Sequence, residues 1–164
     1  MRAMHRAFFL AALLSALSTA QCGGLRRHTS ASVAPATSRP AQEDEIREAV
    51  FRHQLKKYQA DIYFLSVGRD RDPSDQFMRR FAREKRRVKK VSQCAYSASG
   101  VRDKATGRKG VILNVGKITW AGRTHVKVEG GYFAWGRAAS SNLYRLAREG
   151  RRWVVKRDRI VAIA

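Results

Sequence analysis

Acidic residues are scarce in this chain. Thirteen Asp and Glu stand against 34 Lys and Arg, leaving a formal charge of +21 over 164 residues. Such a surface attracts polyanions with long-range, salt-sensitive steering. Cysteine is nearly missing: Cys22 and Cys94 alone cannot build a disulfide framework or a four-thiolate zinc site. Three Pro and twelve Gly exclude collagen-like or proline-rich architectures. His5, His28, His53 and His125 have no zinc-type spacing with each other or with cysteine. A Gly-x-Ser-x-Gly elbow is also lacking. Gly107-Arg-Lys-Gly110 lacks the terminal Gly-Lys-Ser/Thr of a phosphate loop and reads as a hairpin turn. No metal site and no cofactor are therefore expected. What is present is enough apolar material, 44% of residues, to argue against wholesale disorder, in a length that suits one compact domain.

The N-terminus reads as an address. Arg2, His5 and Arg6 precede the apolar stretch Ala7 to Leu17, and small residues follow it. That pattern describes a secretory signal peptide over residues 1–20. The stretch falls short of the roughly 20 residues that span a bilayer as a helix, and no later segment comes closer, so no transmembrane helix is expected after signal removal. Two processing routes stay open. Ser18 and Ala20 fit cleavage before Gln21, whereas Cys22 followed by Gly23-Gly24 resembles the start of a bacterial lipoprotein, with Cys22 lipidated. Thr19 and Gln21 depart from the lipoprotein pattern. With Cys22 lipidated, Cys94 is a lone thiol of the buried, apolar kind. With Cys22 free, an oxidising compartment permits a Cys22–Cys94 bridge. The expected location is periplasmic, lipid-anchored at the envelope, or secreted.

Residues 21–42 are rich in Ser, Ala, Thr and Pro and read as a flexible linker. One α+β domain is expected over 43–164. Five of the 34 basic residues precede Glu43 and no acidic residue does, so this domain keeps a formal +16. It opens with a helix from Glu43 to about Ala60, in which Glu43, Asp44, Glu45 and Glu48 crowd the early turns and Lys56 and Lys57 the end, complementing the helix dipole. Ile46, Ala49, Val50, Phe51, Leu55 and Tyr58 form a broad apolar face. Ile62 to Val67 is a short strand or buried connector. Asp72 as N-cap and Pro73 at the first helical position start a second helix reaching Phe81. From Val88 the apolar period becomes two. Strands are expected over Val88–Ser97, Gly110–Trp120, Thr124–Trp135, Ser141–Arg148 and Arg152–Ile163, with Gly130-Gly131 marking a bulge or bend.

Helices first, then short-looped strands, predict an α+β fold in which N-terminal helices pack in the concave face of a curled antiparallel sheet of about five strands. A small antiparallel barrel with an extra helix is the competing architecture. The Glu43–Tyr58 helix, the Asp72–Phe81 helix, the Val126–Phe133 strand and the terminal hairpin Asn142–Val155 together resemble the nuclear transport factor two-like (cystatin-like) superfamily. The resemblance implies a cone-like domain. That superfamily hosts isomerases, dehydratases and polyketide cyclases beside non-catalytic ligand-binding and assembly domains, so fold alone settles little. Its enzymes typically place an Asp, a His or a His–Asp pair inside the cone. His53, Asp61, His125 and Glu129, with Tyr58, Tyr63 and Tyr132, are the groups available, and His53 and Glu129 are the two weak catalytic candidates. Val126 and Val128 share one strand face while His125, Lys127 and Glu129 share the other, which reads as solvated.

The densest basic segment is Arg79, Arg80, Arg83, Lys85, Arg86, Arg87, Lys89 and Lys90, opposed within it by Glu84 alone; Arg151, Arg152, Lys156, Arg157 and Arg159 form a second concentration. Arg outnumbers Lys 24 to 10, as a GC-rich coding background or selection for phosphate-gripping forks would each produce. The primary expectation is an exported, envelope-associated, non-enzymatic domain that binds a protein partner or small ligand. A polyanion-binding role for residues 79–90, toward anionic lipid headgroups, lipopolysaccharide or acidic glycans, is the first alternative. A small-molecule isomerase, dehydratase or cyclase is the second. Nucleic acid is not an expected partner of an exported chain.

Overall fold

A computed structural model describes residues 38–136 and 138–163. The expected signal peptide over residues 1–20, Cys22 and residues 21–37 of the expected linker lie outside the described residues. The first helix, α1, spans Arg39–Lys57 and so begins ahead of the acidic cluster, with Pro40 in its opening turn where a missing N–H is harmless. Its first turn holds no acidic residue. The carboxylates expected to complement the dipole instead form ion pairs along the helix: Glu43 and Asp44 on Arg47 at 3.0 and 3.2 Å, and Glu48 on Arg52 at 2.8 Å. Lys56 and Lys57 do occupy the last turn. Ile46, Val50, Phe51, Gln54 and Leu55 form the buried stripe.

After α1 come β1 (Ile62–Val67), a one-turn helix α2 (Asp75–Met78) continued by a 3-10 turn over Arg79–Phe81, and β2 (Arg87–Lys90). A second 3-10 turn over Val91–Gln93 leads to β3 (Cys94–Ser97) and β4 (Gly100–Asp103). Four longer strands complete the chain: β5 (Lys109–Trp120), β6 (His125–Trp135), β7 (Ala138–Glu149) and β8 (Arg152–Ile163). The main order is β2-β1-β5-β6-β7-β8, with the β3–β4 hairpin attached through β4 to β5. Strand β1 runs parallel to both its neighbours, and the ladders from β5 to β8 are antiparallel. The parallel setting explains why Ile62-Tyr-Phe-Leu65 shows no alternation. Both its faces are covered, and all four residues are at most 1% exposed.

Two apolar clusters follow. On the inner face, Tyr63, Leu65, Leu113, Val115, Val126, Val128, Tyr144 and Leu146 pack against the α1 stripe with Phe77, Phe81 and Trp153. Phe51 meets Phe77 and Phe81 edge-on at 6.0 and 6.3 Å, and each such buried ring contributes roughly 1.5–3 kcal/mol. On the outer face, Ile62, Phe64 and Ile112 lie beneath Val91, Cys94 and Val101. Cys94 is a buried free thiol whose Sγ donates to the Val91 carbonyl at 3.1 Å, and burial raises its pKa.

This architecture corrects the expected one. The described residues are 52% strand and 23% helix, with eight strands rather than five and a single long helix rather than a helical N-terminal layer. The expected strand Val88–Ser97 is two strands divided by the Val91–Gln93 turn, one extending the parallel edge and the other entering the hairpin. The second helix is capped by Ser74, whose hydroxyl accepts from the Phe77 N–H at 3.1 Å, while the Asp72 carboxylate accepts from the Ser92 N–H at 2.9 Å. Gly130-Gly131 is not a bulge against β7, since that register runs unbroken from His125 to Phe133. A Cβ on Gly130 would stand 2.5 Å from the Asn114 carbonyl oxygen, and one on Gly131 would stand 1.9 Å from that of Ser140. The pair is there for close backbone approach. The irregularity lies on β5, between Val115 and Ile118.

Candidate polyanion-binding surface

The basic segment 79–90 folds into a partly neutralised ridge. Arg80 pairs with Glu48 at 2.8 Å, Arg86 with Glu84 at 3.5 Å, Lys89 with Asp103 at 2.9 Å and Lys90 with Asp75 at 2.7 Å. The Asp103 side chain is only 1% exposed, and the Thr106 hydroxyl followed by the Lys89 ammonium lowers its pKa. Lys90 likewise lowers the pKa of Asp75. Arg79, Arg83, Lys85 and Arg87 are exposed, and Arg79 also acts electrostatically on Asp75. Half of this run is therefore spent on holding the α2 turn, β2 and the hairpin to the rest of the domain.

A second basic array was not singled out by sequence. On the outer face, Thr119, Lys127, Arg145 and Arg157 stand directly opposite one another across β5, β6, β7 and β8. Their side is settled by their neighbours: Val126, Val128, Tyr144 and Leu146 are buried beneath α1, so the intervening residues point away from it. The next rung is Glu129, Leu143 and Arg159. Lys127, Arg145, Arg157 and Arg159 are all exposed, as is Lys117 at the β5 irregularity. Glu129 is the one carboxylate on these two rungs. Directly opposed cross-strand cations, with side chains about 4.5–5.5 Å apart at Cβ, destabilise a sheet. Three in a row form a site whose repulsion an external polyanion would relieve. The sequence signal was partial: Lys127 and Arg145 fall on the outward parity of their strands, whereas Arg157 shares the parity of the inward Trp153 and Val155 and joins the rung only through the register shift beside Lys156.

Beside these rungs the same face opens into a groove of about 660 Å³, bordered by Asp70 and Tyr96 and floored in part by Gly116, Gly131 and Ser141. Asp70 holds φ +52°, the one positive value at a non-glycine among the described residues. Its carboxylate beside the Tyr96 hydroxyl raises that phenol's pKa.

The two catalytic candidates are not brought together. Glu129 is exposed on the outer face, whereas His53 projects from α1 over the inner face, where its Nε2 lies 3.1 Å from Asp158 Oδ2. The same oxygen accepts from Lys57 Nζ at 2.6 Å, and Asn142 donates to Asp158 Oδ1. Burial opposes ionisation of Asp158, but the hydrogen bonds from Lys57, Asn142 and His53 outweigh it and hold its pKa below the ordinary value. Lys57 mirrors this: burial works against its charge, and Asp158 and Tyr58 together more than compensate, so its pKa is raised. One turn earlier, Gln54 is fully buried and its Nε2 donates to the carbonyls of Asn114 and Gly131 at 3.1 and 3.0 Å and to the Tyr144 hydroxyl at 3.1 Å. Burial pushes the Tyr144 phenol well above its usual range. Together these contacts clamp α1 to β5, β6, β7 and β8. His53 and Glu129 line neither the outer groove nor the cleft beside Trp135.

Of the other polar groups weighed from sequence, Asp61 is exposed and pairs with Arg108 at 3.1 Å, and His125 is exposed beside the Thr124 hydroxyl. Tyr63 donates to the Tyr58 carbonyl and packs in the core, and Tyr58 stacks on Tyr132 at 4.2 Å. Among the described residues no group of three or more His, Cys, Asp or Glu is placed to hold a metal ion. None of the described helices is long and apolar enough to cross a membrane. No protein-family profile matches the chain, and neither a curated protein nor a solved structure matches it.

Proposed function

We propose that this is a non-enzymatic binding domain, acting at the cell envelope after export, that holds an extended polyanion on its outer sheet face. The observation that carries the reading is the rung Lys127–Arg145–Arg157: three exposed cations in direct cross-strand opposition, without an ion-pair partner among the described residues. The arrangement costs stability that any neutral or acidic residue at the central position would recover, and a bound polyanion offsets the same cost. Export rests on the cationic, apolar and small-residue pattern of residues 1–20.

Heparin, as a polyanion of high charge density, tests the surface. Arg145→Glu with Arg157→Glu lowers the salt concentration at which the protein elutes from immobilised heparin far more than Arg83→Glu with Lys85→Glu, although both pairs remove the same charge. Equal effects return the site to residues 79–90 or to bulk charge, and no effect from either pair overturns polyanion binding. The mass of the mature N-terminus tests export and anchoring: diacylated Cys22 shows an envelope anchor, unmodified Gln21 shows a released protein, and an intact Met1 removes the export reading.

A further inference from the structure

The groove and the cationic rungs share one face and run into each other. Along β7 the outward positions are Ser141, Leu143 and Arg145, and along β6 they are Gly131, Glu129 and Lys127. Ser141 and Arg145 are four residue steps apart along the strand, which is about 13 Å. The two ends differ in chemistry. At the groove end, Arg69 and Asp70 offset each other, glycines and serines line the groove together with Ile112 and Asn114, and Tyr96 stands 51% exposed with its ring 6.0 Å from Phe133. An exposed phenol ring supported from behind is a flat apolar platform. Asp70 offers acceptors, and Ser141 offers both a donor and acceptors. Gly116 leaves its part of the lining without side-chain bulk, and a Cβ there would meet nothing nearer than 3.4 Å, so a ring can approach the sheet backbone at that point. At the rung end the surface is cationic and built mainly from Arg, whose guanidinium grips carboxylate and phosphate in two-point fashion, so the groove end is what distinguishes the polymers.

We infer that the outer face is a binding site for an acidic oligosaccharide, with a neutral hydroxyl-rich sugar ring in the groove against Tyr96 and Asp70 and the acid group of a following sugar on Arg145 and its rung neighbours. This rests on the polyanion reading above and names the class of polymer. A nucleic acid or polyphosphate fits less well. Each carries a phosphate on every unit, so one would fall beside the Asp70 carboxylate in a groove of no net charge. A base-stacking ladder is also missing, since Tyr96 is the exposed aromatic that the groove presents. The left-handed backbone at Asp70 fits the same picture: a non-glycine residue held in a sparsely populated conformation at a site is where a side chain has been aimed.

The experiment titrates the full mature protein with three probes of matched total charge: a glycan oligomer of alternating uronate and N-acetylhexosamine, a linear polyphosphate and an oligothymidylate. The glycan binds at least about tenfold more tightly than either phosphate polymer. Tyr96→Ala, an exposed position whose loss leaves the fold intact by circular dichroism, weakens the glycan about tenfold and leaves polyphosphate unchanged. Asp70→Asn keeps the left-handed conformation and weakens the glycan several-fold. Arg145→Glu weakens all three probes. Equal affinity for the three probes, or indifference of the glycan to Tyr96→Ala and Asp70→Asn, overturns the inference while leaving the rung as a general polyanion site. Indifference of all three to Arg145→Glu removes the underlying reading as well.

Discussion

Arg145→Glu should make the free protein more stable and the binding protein worse. Arg145 is flanked on its rung by Lys127 on one side and Arg157 on the other. Each cross-strand pair is worth roughly 0.2–1 kcal/mol, favourable for opposite and unfavourable for like charges. Reversing the central charge turns two repulsions into two attractions, and with exposed side chains at physiological salt the net gain is about 1 kcal/mol. For a domain of this size that raises the thermal midpoint by roughly 3–5 °C. The gain shrinks as salt is raised, because the pairs are solvent-exposed. Arg123→Glu is the control. It lies exposed in the turn between β5 and β6, off the rung, and changes the net charge equally. Differential scanning fluorimetry at low and high salt, paired with heparin elution, reads both quantities on the same variants. Stabilisation no larger than that of Arg123→Glu, or heparin retention unchanged, would show that the rung is neither strained nor used.

Three further outcomes follow from contacts within the domain. Gln54→Leu strands the Asn114 and Gly131 carbonyls and the Tyr144 hydroxyl without their donor, and denaturant unfolding should show a loss of about 2–4 kcal/mol. Gly131→Ala forces a Cβ onto the Ser140 carbonyl oxygen and should cost at least as much, seen as a lowered midpoint or loss of soluble protein. The depressed pKa of Asp158 contributes stability that is complete above the ordinary aspartate range and drains away as pH falls through its folded value. Asp158→Asn should therefore be less stable than wild type at pH 7, and the gap should close on titration from about pH 5 downward; a gap that stays constant to acid would disprove the ionic clamp.

Strands β6 and β7 were legible because one face of each lies toward α1 and the other is largely wet, so Val126 and Val128 alternate with Lys127 and Glu129, and Arg145 stands between Tyr144 and Leu146. The parallel edge was not. Ile62 to Leu65 is buried on both faces and carries no period, and nothing local announces that Arg87–Lys90 will pair with it. The break at Val91–Gln93 hides inside a run that reads as one strand, because Val88, Val91 and Cys94 keep it apolar at intervals while the chain turns a corner. Ser74 and Asp72 are both sound cap residues by type, and tertiary pairing of Asp72 with the Ser92 N–H decides between them. For the site, density along the chain drew attention to residues 79–90, whereas the opposed cations are 18 and 12 residues apart in sequence. Register alone unites them, and register is a property of the folded sheet.

Lysine footprinting with and without saturating polyanion reads the binding face directly. Amine labelling of the native protein, followed by peptide mass spectrometry, reports Lys127 and Lys117 beside the outer face and Lys85 in the 79–90 ridge, all exposed in the free protein. Heparin should protect Lys127 and Lys117 strongly and leave Lys85 reactive. Protection of Lys85 with Lys127 still freely labelled would contradict a polyanion site on the outer sheet face.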